Sequence, residues 1–378
     1  MHHTEIESLD ELRARIEAGK GLSHCVFQGL DLEDWSGALV SGSLRHSVFL
    51  GCRMTGEATR YALGEGALVF PELGGIPFHP YRSRLYGPGE LLAEGYRPGE
   101  PESYEETLDK RVYNHFDNHG RDEAQSIVEM LARRLHDHAI TDAMMEFIHG
   151  KKVVAIMGGH SIGRDAEEYR EVVLLAKELA ELGFLVTSGG GPGAMEASHL
   201  GASFAGEKDH ERVDAALEIL AEAPSYKDRM WLDAGIRVWA EFFDRGRGNG
   251  ADSLGIPTWL YGHEPPAIFA SHIAKYFANS VREEGLLAIA KHGVVFSPGS
   301  AGTIQEIFQD ATQNHYVSFE VISPMILFGE EYWQTRKPVY PLLAQLAAGR
   351  EYARHVHLVD DRKEVVKALV EFAESAHS

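Results

Sequence analysis

The sequence has few cysteines and a shortage of positive charge, and both features narrow the possible functions. Its 378 residues include two cysteines, Cys25 and Cys52, and neither belongs to a CxxC pair. This argues against a disulfide framework and a cysteine zinc site, and the 20 histidines are scattered, so we predict no metal site. Lysine and arginine number 36 against 57 acidic residues, a formal net charge of −21. Because such a surface repels phosphate backbones, we expect no nucleic-acid polymer as partner.

Long apolar runs are also missing. No run approaches the ~20 residues of a membrane span, and the first residues lack the basic-then-apolar order of a signal peptide. The apolar fraction of 44% is nevertheless enough for real hydrophobic cores. We therefore expect a cytoplasmic protein, without membrane association, whose length fits two domains.

The first of three predicted zones covers residues 1–60. Its apolar residues Leu39, Leu44, Phe49 and Met54 lie five apart, a period that neither a helix nor a flat strand has. This spacing is typical of a short pentapeptide-repeat β-coil, in which both cysteines would be core residues. The alternative is an irregular small β region.

The second and third zones differ in composition. Residues 61–150 begin with a segment rich in Gly, Pro and Tyr, which indicates a loop-rich arm, and a helix is predicted from about Asp122 to Ile148. Residues 151–378 alternate short apolar runs with amphipathic helical patterns, as in KKVVAIMG followed by EEYREVVLLAKELAELG. This alternation predicts a Rossmann-like α/β fold with a doubly wound parallel sheet.

Three glycine-containing loops follow predicted strands of the third zone. They read MGGHSIGRD, SGGGPGAMEA and PGSAGTIQEIFQD, and neither a GxGxxG fingerprint nor a Walker A motif is among them. Ligands of parallel sheets bind beyond the carboxyl ends of the strands, and bare amides at a helix N-terminus favour anions. We therefore predict a nucleotide or sugar-phosphate site there.

GGGPGAMEA and PGSAGTIQE together resemble the paired signatures GGGxxGxM and PGGxGTxxE of the LOG family. The resemblance covers about residues 151–345. Members of this family, formerly labelled lysine decarboxylases, include cytokinin riboside 5′-monophosphate phosphoribohydrolases and nucleotide 5′-monophosphate nucleosidases. The resemblance implies a Rossmann-like homodimer or higher homo-oligomer that hydrolyses a nucleoside 5′-monophosphate such as AMP to free base and ribose 5-phosphate, without metal or cofactor.

The residues and the resemblance together assign a substrate-binding set to the three loops. The set is Gly158, Gly159 and Ser161; Gly189, Gly190, Gly191, Gly193, Met195 and Glu196; and Pro298, Gly299, Ser300, Gly302 and Thr303.

The resemblance also implies two catalytic residues. Arg282 would be the arginine that precedes the phosphate loop and would hold phosphate or a ribose hydroxyl through its fork of donors. Glu306 would be the motif glutamate and would stabilise an oxocarbenium-like state while orienting the attacking water. Glu196 would orient a ribose or cap its helix.

Two departures from the family pattern leave an alternative open. Ser300 replaces the second glycine of PGG, and Glu283 replaces the lysine that usually follows the arginine. A non-catalytic nucleotide-binding or sensing protein of the same fold is therefore the second hypothesis, and a structural protein built on the N-terminal coil is the third. Residues 204–265 are longer than a minimal member needs and are predicted to form extra helices beside the site.

Lysine decarboxylation is excluded on chemical grounds. It would require a lysine bound to pyridoxal phosphate, and none of the three loops contains a lysine. The nearest are Lys151, Lys152 and Lys291, at the starts of predicted strands rather than their ends.

Overall fold

A computed structural model describes residues 3–121, 123, 126–208, 210–243, 250–261 and 268–375. The chain divides into two compact units, one of residues 1–85 with 117–145 and the other of residues 86–116 with 146–378. This division differs from the three zones drawn from the sequence, because residues 86–116 belong to the second unit.

The first unit contains a four-stranded parallel sheet in the order β1-β2-β3-β4. Its described elements are β1 (Thr4–Ile6), α1 (Leu9–Glu17), β2 (Cys25–Gln28), α2 (Ser36–Ser41), β3 (Val48–Leu50), α3 (Gly56–Gly64) and β4 (Leu68–Phe70). Ser8 caps α1 through a reciprocal pair of hydrogen bonds with Glu11, a common start signal for a helix. The four strands begin 20 to 23 residues apart, and a helix lies in each connection between them.

The predicted five-residue coil is not what this region forms. Leu39 lies in α2, Leu44 in the following loop and Phe49 in β3. All three are fully buried, so the spacing marks core positions that belong to different kinds of element. Cys25 and Cys52 are buried as predicted, and Phe49 stacks on Phe27 with ring centroids 4.6 Å apart.

The second unit contains a seven-stranded parallel sheet in the order β11-β10-β9-β5-β6-β7-β8, which confirms the predicted fold class. Its strands are β5 (Lys152–Met157), β6 (Phe184–Ser188), β7 (Ser253–Gly255), β8 (His272–Ile273), β9 (Val294–Phe296), β10 (Met325–Phe328) and β11 (Val356–Val359). Two further helices precede these strands in the chain: α4 (Leu108–Asn118), which lies mostly in the second unit, and α5 (Ile127–Ile148), which lies mostly in the first. The later helices of the second unit are α6 (Glu167–Glu181), α7 (Ala194–Ser203), α8 (His210–Ala221), α9 (Trp231–Phe242), α10 (Asn279–Ile289), α11 (Ala301–Tyr316), α12 (Val339–Ala347) and α13 (Arg362–Ser375).

The apolar composition of the strands explains why helices cover this sheet. Every residue of β6 and β10 is buried, and so are five of the six residues of β5, as expected for strands that are covered on both faces. Gly183 ends the turn after α6 with a φ of 85°, a conformation that favours glycine. Asp122, the predicted start of the long helix, lies outside the described residues, and α5 begins at Ile127.

Candidate functional site

The strand order creates one switch point in the seven-stranded sheet. From β5 the chain proceeds to β6, β7 and β8 on one side and then returns to β9, which pairs with the other side of β5. The connections after β5 and β9 therefore depart to opposite sides, and a crevice opens at the carboxyl ends of these two strands.

Backbone hydrogen bonds join the three glycine-containing loops at this edge. The Gly159 N–H donates to the Pro298 carbonyl at 3.0 Å, and the Gly159 carbonyl accepts from the Ala194 N–H at 3.2 Å. The loop after β5 thus lies between the other two and bonds to both. The predicted convergence of GGGPG and PGSAG at one edge of the sheet is present.

The glycines after β6 make room for other parts of the protein. A Cβ on Gly189 would lie 2.7 Å from Arg282 Nη2 and would overlap the side chain of Met195. A Cβ on Gly190 would overlap Pro257, and Gly193 combines a φ of 71° with close approach to the Gly159 carbonyl. These glycines allow the loop to pack against its neighbours, and this packing alone accounts for the absence of side chains at the three positions.

A cleft of about 410 Å³ opens beside the joined loops. Its lining comes from the loops after β5, β6 and β9, from the start of α7, from α10 and α11, and from the segment before β8. The lining residues are Gly158, Gly159, His160, Pro192, Met195, Tyr261, Arg282, Glu283, Ser300, Ala301, Gly302, Thr303 and Glu306.

Both predicted catalytic side chains line this cleft. Arg282 is buried in the first turn of α10, and its Nε donates to the Ile256 carbonyl at 2.9 Å. That bond fixes the guanidinium beneath the glycine loop. Glu306 is half-buried on α11, three residues after Thr303, so the two side chains share the same end of the helix.

Glu283 brings a second carboxylate into the cleft. Its two oxygens accept hydrogen bonds from Asn279 Nδ2 at 2.8 Å and from Gln305 Nε2 at 3.1 Å. Glu283 therefore places a held negative charge in the cleft that Arg282 also lines.

Glu196 does not line the cleft, and the predicted ribose contact is wrong for this structure. Its side chain is buried, and its carboxylate accepts two hydrogen bonds from the Arg164 guanidinium, at 2.9 and 2.6 Å, and one from the Tyr169 hydroxyl at 2.9 Å. Arg164 also donates to the Trp231 carbonyl at 2.7 Å. Glu196 therefore anchors α7 to its surroundings, and no sequence motif marks its distant partner.

Other predicted residues support the cleft or line a neighbouring cavity. Gly189, Gly190, Gly191 and Gly193 lie in the loop behind the cleft, outside its lining. Ser161, Pro298 and Gly299 line a second cavity of about 690 Å³, which Ser300 also borders. Ser300 therefore borders both cavities.

His199 is a supporting residue that the sequence reasoning missed. It is fully buried on α7, and burial lowers its pKa to about 4, so the ring is neutral. Its Nε2 lies 3.0 Å from the Gly189 carbonyl and its Nδ1 lies 3.2 Å from Ser253 Oγ. Because a carbonyl only accepts, the proton resides on Nε2, and His199 holds the glycine loop in place.

Two more cleft residues, His160 and Tyr261, were also missed. His160 lies in the predicted loop MGGHSIGRD but was not assigned a role, and Tyr261 belongs to no motif. His160 is exposed and packs edge-to-face against Tyr226 with ring centroids 5.7 Å apart. Of the described part of 204–265, only Tyr261 lines the cleft. The predicted extra helices are present as α8 and α9, away from its lining.

No helix among the described residues is long and apolar enough to cross a membrane. No protein family and no curated protein matches this sequence.

Several solved structures resemble part of the chain at low similarity. The molybdenum cofactor binding protein from the phototrophic bacterium Rippkaea orientalis has 14% identity and a TM-score of 0.37, over 58% of this chain and 98% of that one. The molybdenum cofactor carrier protein from Chlamydomonas reinhardtii has 16% identity and a TM-score of 0.37, over 59% and 99%. The protein TM1055 has 21% identity and a TM-score of 0.36, over 58% and 99%. At such values the likeness carries no conclusion about function, and the doubly wound sheet itself defines the fold.

Proposed function

We propose that this chain hydrolyses the N-glycosidic bond of a nucleoside 5′-monophosphate, such as AMP, to free base and ribose 5-phosphate, as the resemblance to the LOG family implies. The observation that carries the proposal is the presence of Arg282 and Glu306 in one cleft with two glycine-containing loops. A volume of about 410 Å³ falls in the range of small-molecule sites.

The phosphate would bind at the start of α11. The first N–H groups of a helix have no acceptor within the helix, and here they belong to Ala301, Gly302 and Thr303, all in the cleft lining. The helix dipole favours negative charge at this end. Arg282 adds a fixed positive charge to the same cleft, so phosphate binding can position the sugar for reaction.

The reaction would proceed by attack of water at ribose C1′. The bond from C1′ to the base nitrogen breaks, its electron pair stays with the base, and positive charge develops on the sugar ring. The Glu306 carboxylate would stabilise that charge and accept a proton from the water as the new C–O bond forms. The leaving base takes up one proton and Glu306 releases the proton that it took from the water, so the overall reaction consumes one water molecule and yields the protonated free base and ribose 5-phosphate.

A non-catalytic nucleotide binder is the second candidate, and Glu283 is the observation that favours it. Its carboxylate is held in the cleft by two amide groups, where the family pattern has a positive charge. A site changed in this way fits binding without turnover.

Product analysis separates the two candidates. We expect the wild type to release free base from at least one of AMP, GMP, CMP and UMP, detected by chromatography. Glu306→Gln should lower the rate by about 100-fold or more, as for loss of a general base, while AMP still binds. Glu284→Gln is the matched control, because Glu284 is exposed on α10 outside the cleft lining.

Wild-type protein that binds AMP but releases no base from any of the four nucleotides would contradict hydrolysis and support the binder. The homo-oligomer and the assignment of nucleotide binding to residues 151–378 stay predictions.

A further inference from the structure

The loop between β9 and α11 is held from behind by a segment outside the proposed cleft. Residues Tyr332–Arg336 form a π-helical turn after β10. Trp333 is fully buried in this turn, and its Nε1 donates to the carbonyl of Phe296, the last residue of β9, at 3.0 Å. The turn is therefore fixed to the end of the strand from which the loop departs.

Lys337 follows this turn and reaches the loop. Its Nζ donates to the Gly299 carbonyl at 2.9 Å, and the Tyr332 hydroxyl donates to the same oxygen. The C=O and N–H groups of a trans peptide point in opposite directions, and the described chain has no cis peptide. Holding the Gly299 carbonyl toward Lys337 thus turns the Ser300 N–H away from Lys337, toward the other side of the loop.

The serine hydroxyl is oriented by the same lysine. Lys337 Nζ lies 3.2 Å from Ser300 Oγ, and because an ammonium group only donates, the serine oxygen accepts. The contact with Lys337 uses only a lone pair of the serine oxygen, so the hydroxyl hydrogen can be donated to another acceptor. Ser300 borders the cleft as well as the cavity that contains Lys337.

We propose that Lys337 is a positioning residue that, through Ser300, makes this loop specific for the phosphate of its ligand. The inference rests on the proposed nucleotide site. Lys337 orients the Ser300 N–H and O–H toward the phosphate and places a positive charge behind them. Ser300 thereby supplies a donor where the family pattern has a second glycine.

Variants of Lys337 test this inference by comparing ligands with and without phosphate. We expect Lys337→Met to weaken binding of AMP and of inorganic phosphate by about tenfold, the usual worth of a charge-assisted contact, with adenosine unchanged. The KM for AMP should rise about tenfold while kcat stays within about twofold. Lys337→Arg, which keeps the positive charge, should retain most of the wild-type affinity for AMP.

A double variant and a matched control distinguish the positioning of Ser300 by Lys337 from a general effect of positive charge on AMP binding. Because Lys337 and Ser300 act as one unit, Lys337→Met combined with Ser300→Ala should weaken AMP binding less than the product of the two single effects. Arg336→Met removes an exposed positive charge from the same cavity, and at physiological salt it should change AMP affinity by less than about twofold. If Lys337→Met fails to fold, Lys337→Gln carries the same comparison.

Each result decides a separate question. Equal losses of AMP and adenosine affinity in Lys337→Met, or an Arg336→Met effect of the same size, would overturn the inference. Wild-type protein that binds neither AMP nor phosphate would also overturn it. Wild-type protein that binds both but releases no base would refute the proposed hydrolysis and leave the role of Lys337 standing.

Discussion

Replacing Gly302 with alanine tests whether this position must lack a side chain for ligand binding or for folding. Gly302 lies in the first turn of α11 and lines the cleft, and a Cβ at this position would have no heavy atom within 4 Å. Its φ lies outside the left-handed region, so alanine is free of strain and gains up to about 1 kcal/mol of helix propensity. For a unit of this size, that corresponds to an unchanged or higher Tm, by up to about 4 °C.

The same methyl group would project from the surface on which the proposed phosphate is bound. Displacing the phosphate from even one N–H group should weaken AMP binding at least tenfold, or about 1.4 kcal/mol. The assay is calorimetric measurement of the AMP Kd beside thermal unfolding. Gly285→Ala is the matched control, because this glycine of α10 also has nothing within 4 Å but lies outside the cleft lining. Unchanged AMP affinity in Gly302→Ala would refute the reasoning that the ligand approaches this turn.

Three further predictions concern the support of the site. Gly189→Ala should lower the free energy of unfolding by about 1–3 kcal/mol through overpacking. It should also weaken AMP binding, because the new Cβ would lie 2.7 Å from Arg282 Nη2. A Tm equal to that of wild type would contradict this prediction. Burial raises the pKa of Asp310 to about 8, so the folded protein keeps a proton that the unfolded chain releases above about pH 4. Stability should therefore fall from pH 4 toward pH 8 by up to about 1.4 kcal/mol per pH unit, and denaturant titrations should show a flatter profile for Asp310→Asn. Arg164→Met leaves the Glu196 carboxylate buried without its ion-pair partner and should lower the free energy of unfolding by about 3–5 kcal/mol. Adding Glu196→Gln should recover part of this loss. Equal unfolding midpoints for wild type and Arg164→Met would count against this assignment.

The carboxyl-end loops were predictable because strong local signals specify them. The buried strand FLVTS is observed as β6, from Phe184 to Ser188, and the three glycines that come directly after it mark the loop. Parallel pairing then brings such loops to one edge whatever their separation in the chain. The resemblance to the LOG family also implied that Arg282 belongs to the site, and Arg282 does line the cleft.

The errors arose where a tertiary partner decides the outcome. Glu196 looks like a ligand contact in sequence, but Arg164, 32 residues earlier, pairs with it in the interior. The five-residue spacing of Leu39, Leu44 and Phe49 predicted their burial correctly but could not tell a helix from a strand. Lys337 carries no motif, and only the fold brings it to Ser300.

A crystal structure of Glu306→Gln with AMP tests the central claim most directly. We predict the phosphate within hydrogen-bond distance of the N–H groups at the start of α11, and ribose C1′ facing the side chain at position 306. AMP bound away from this cleft, or with its phosphate remote from Ser300 and Gly302, would contradict the proposed site.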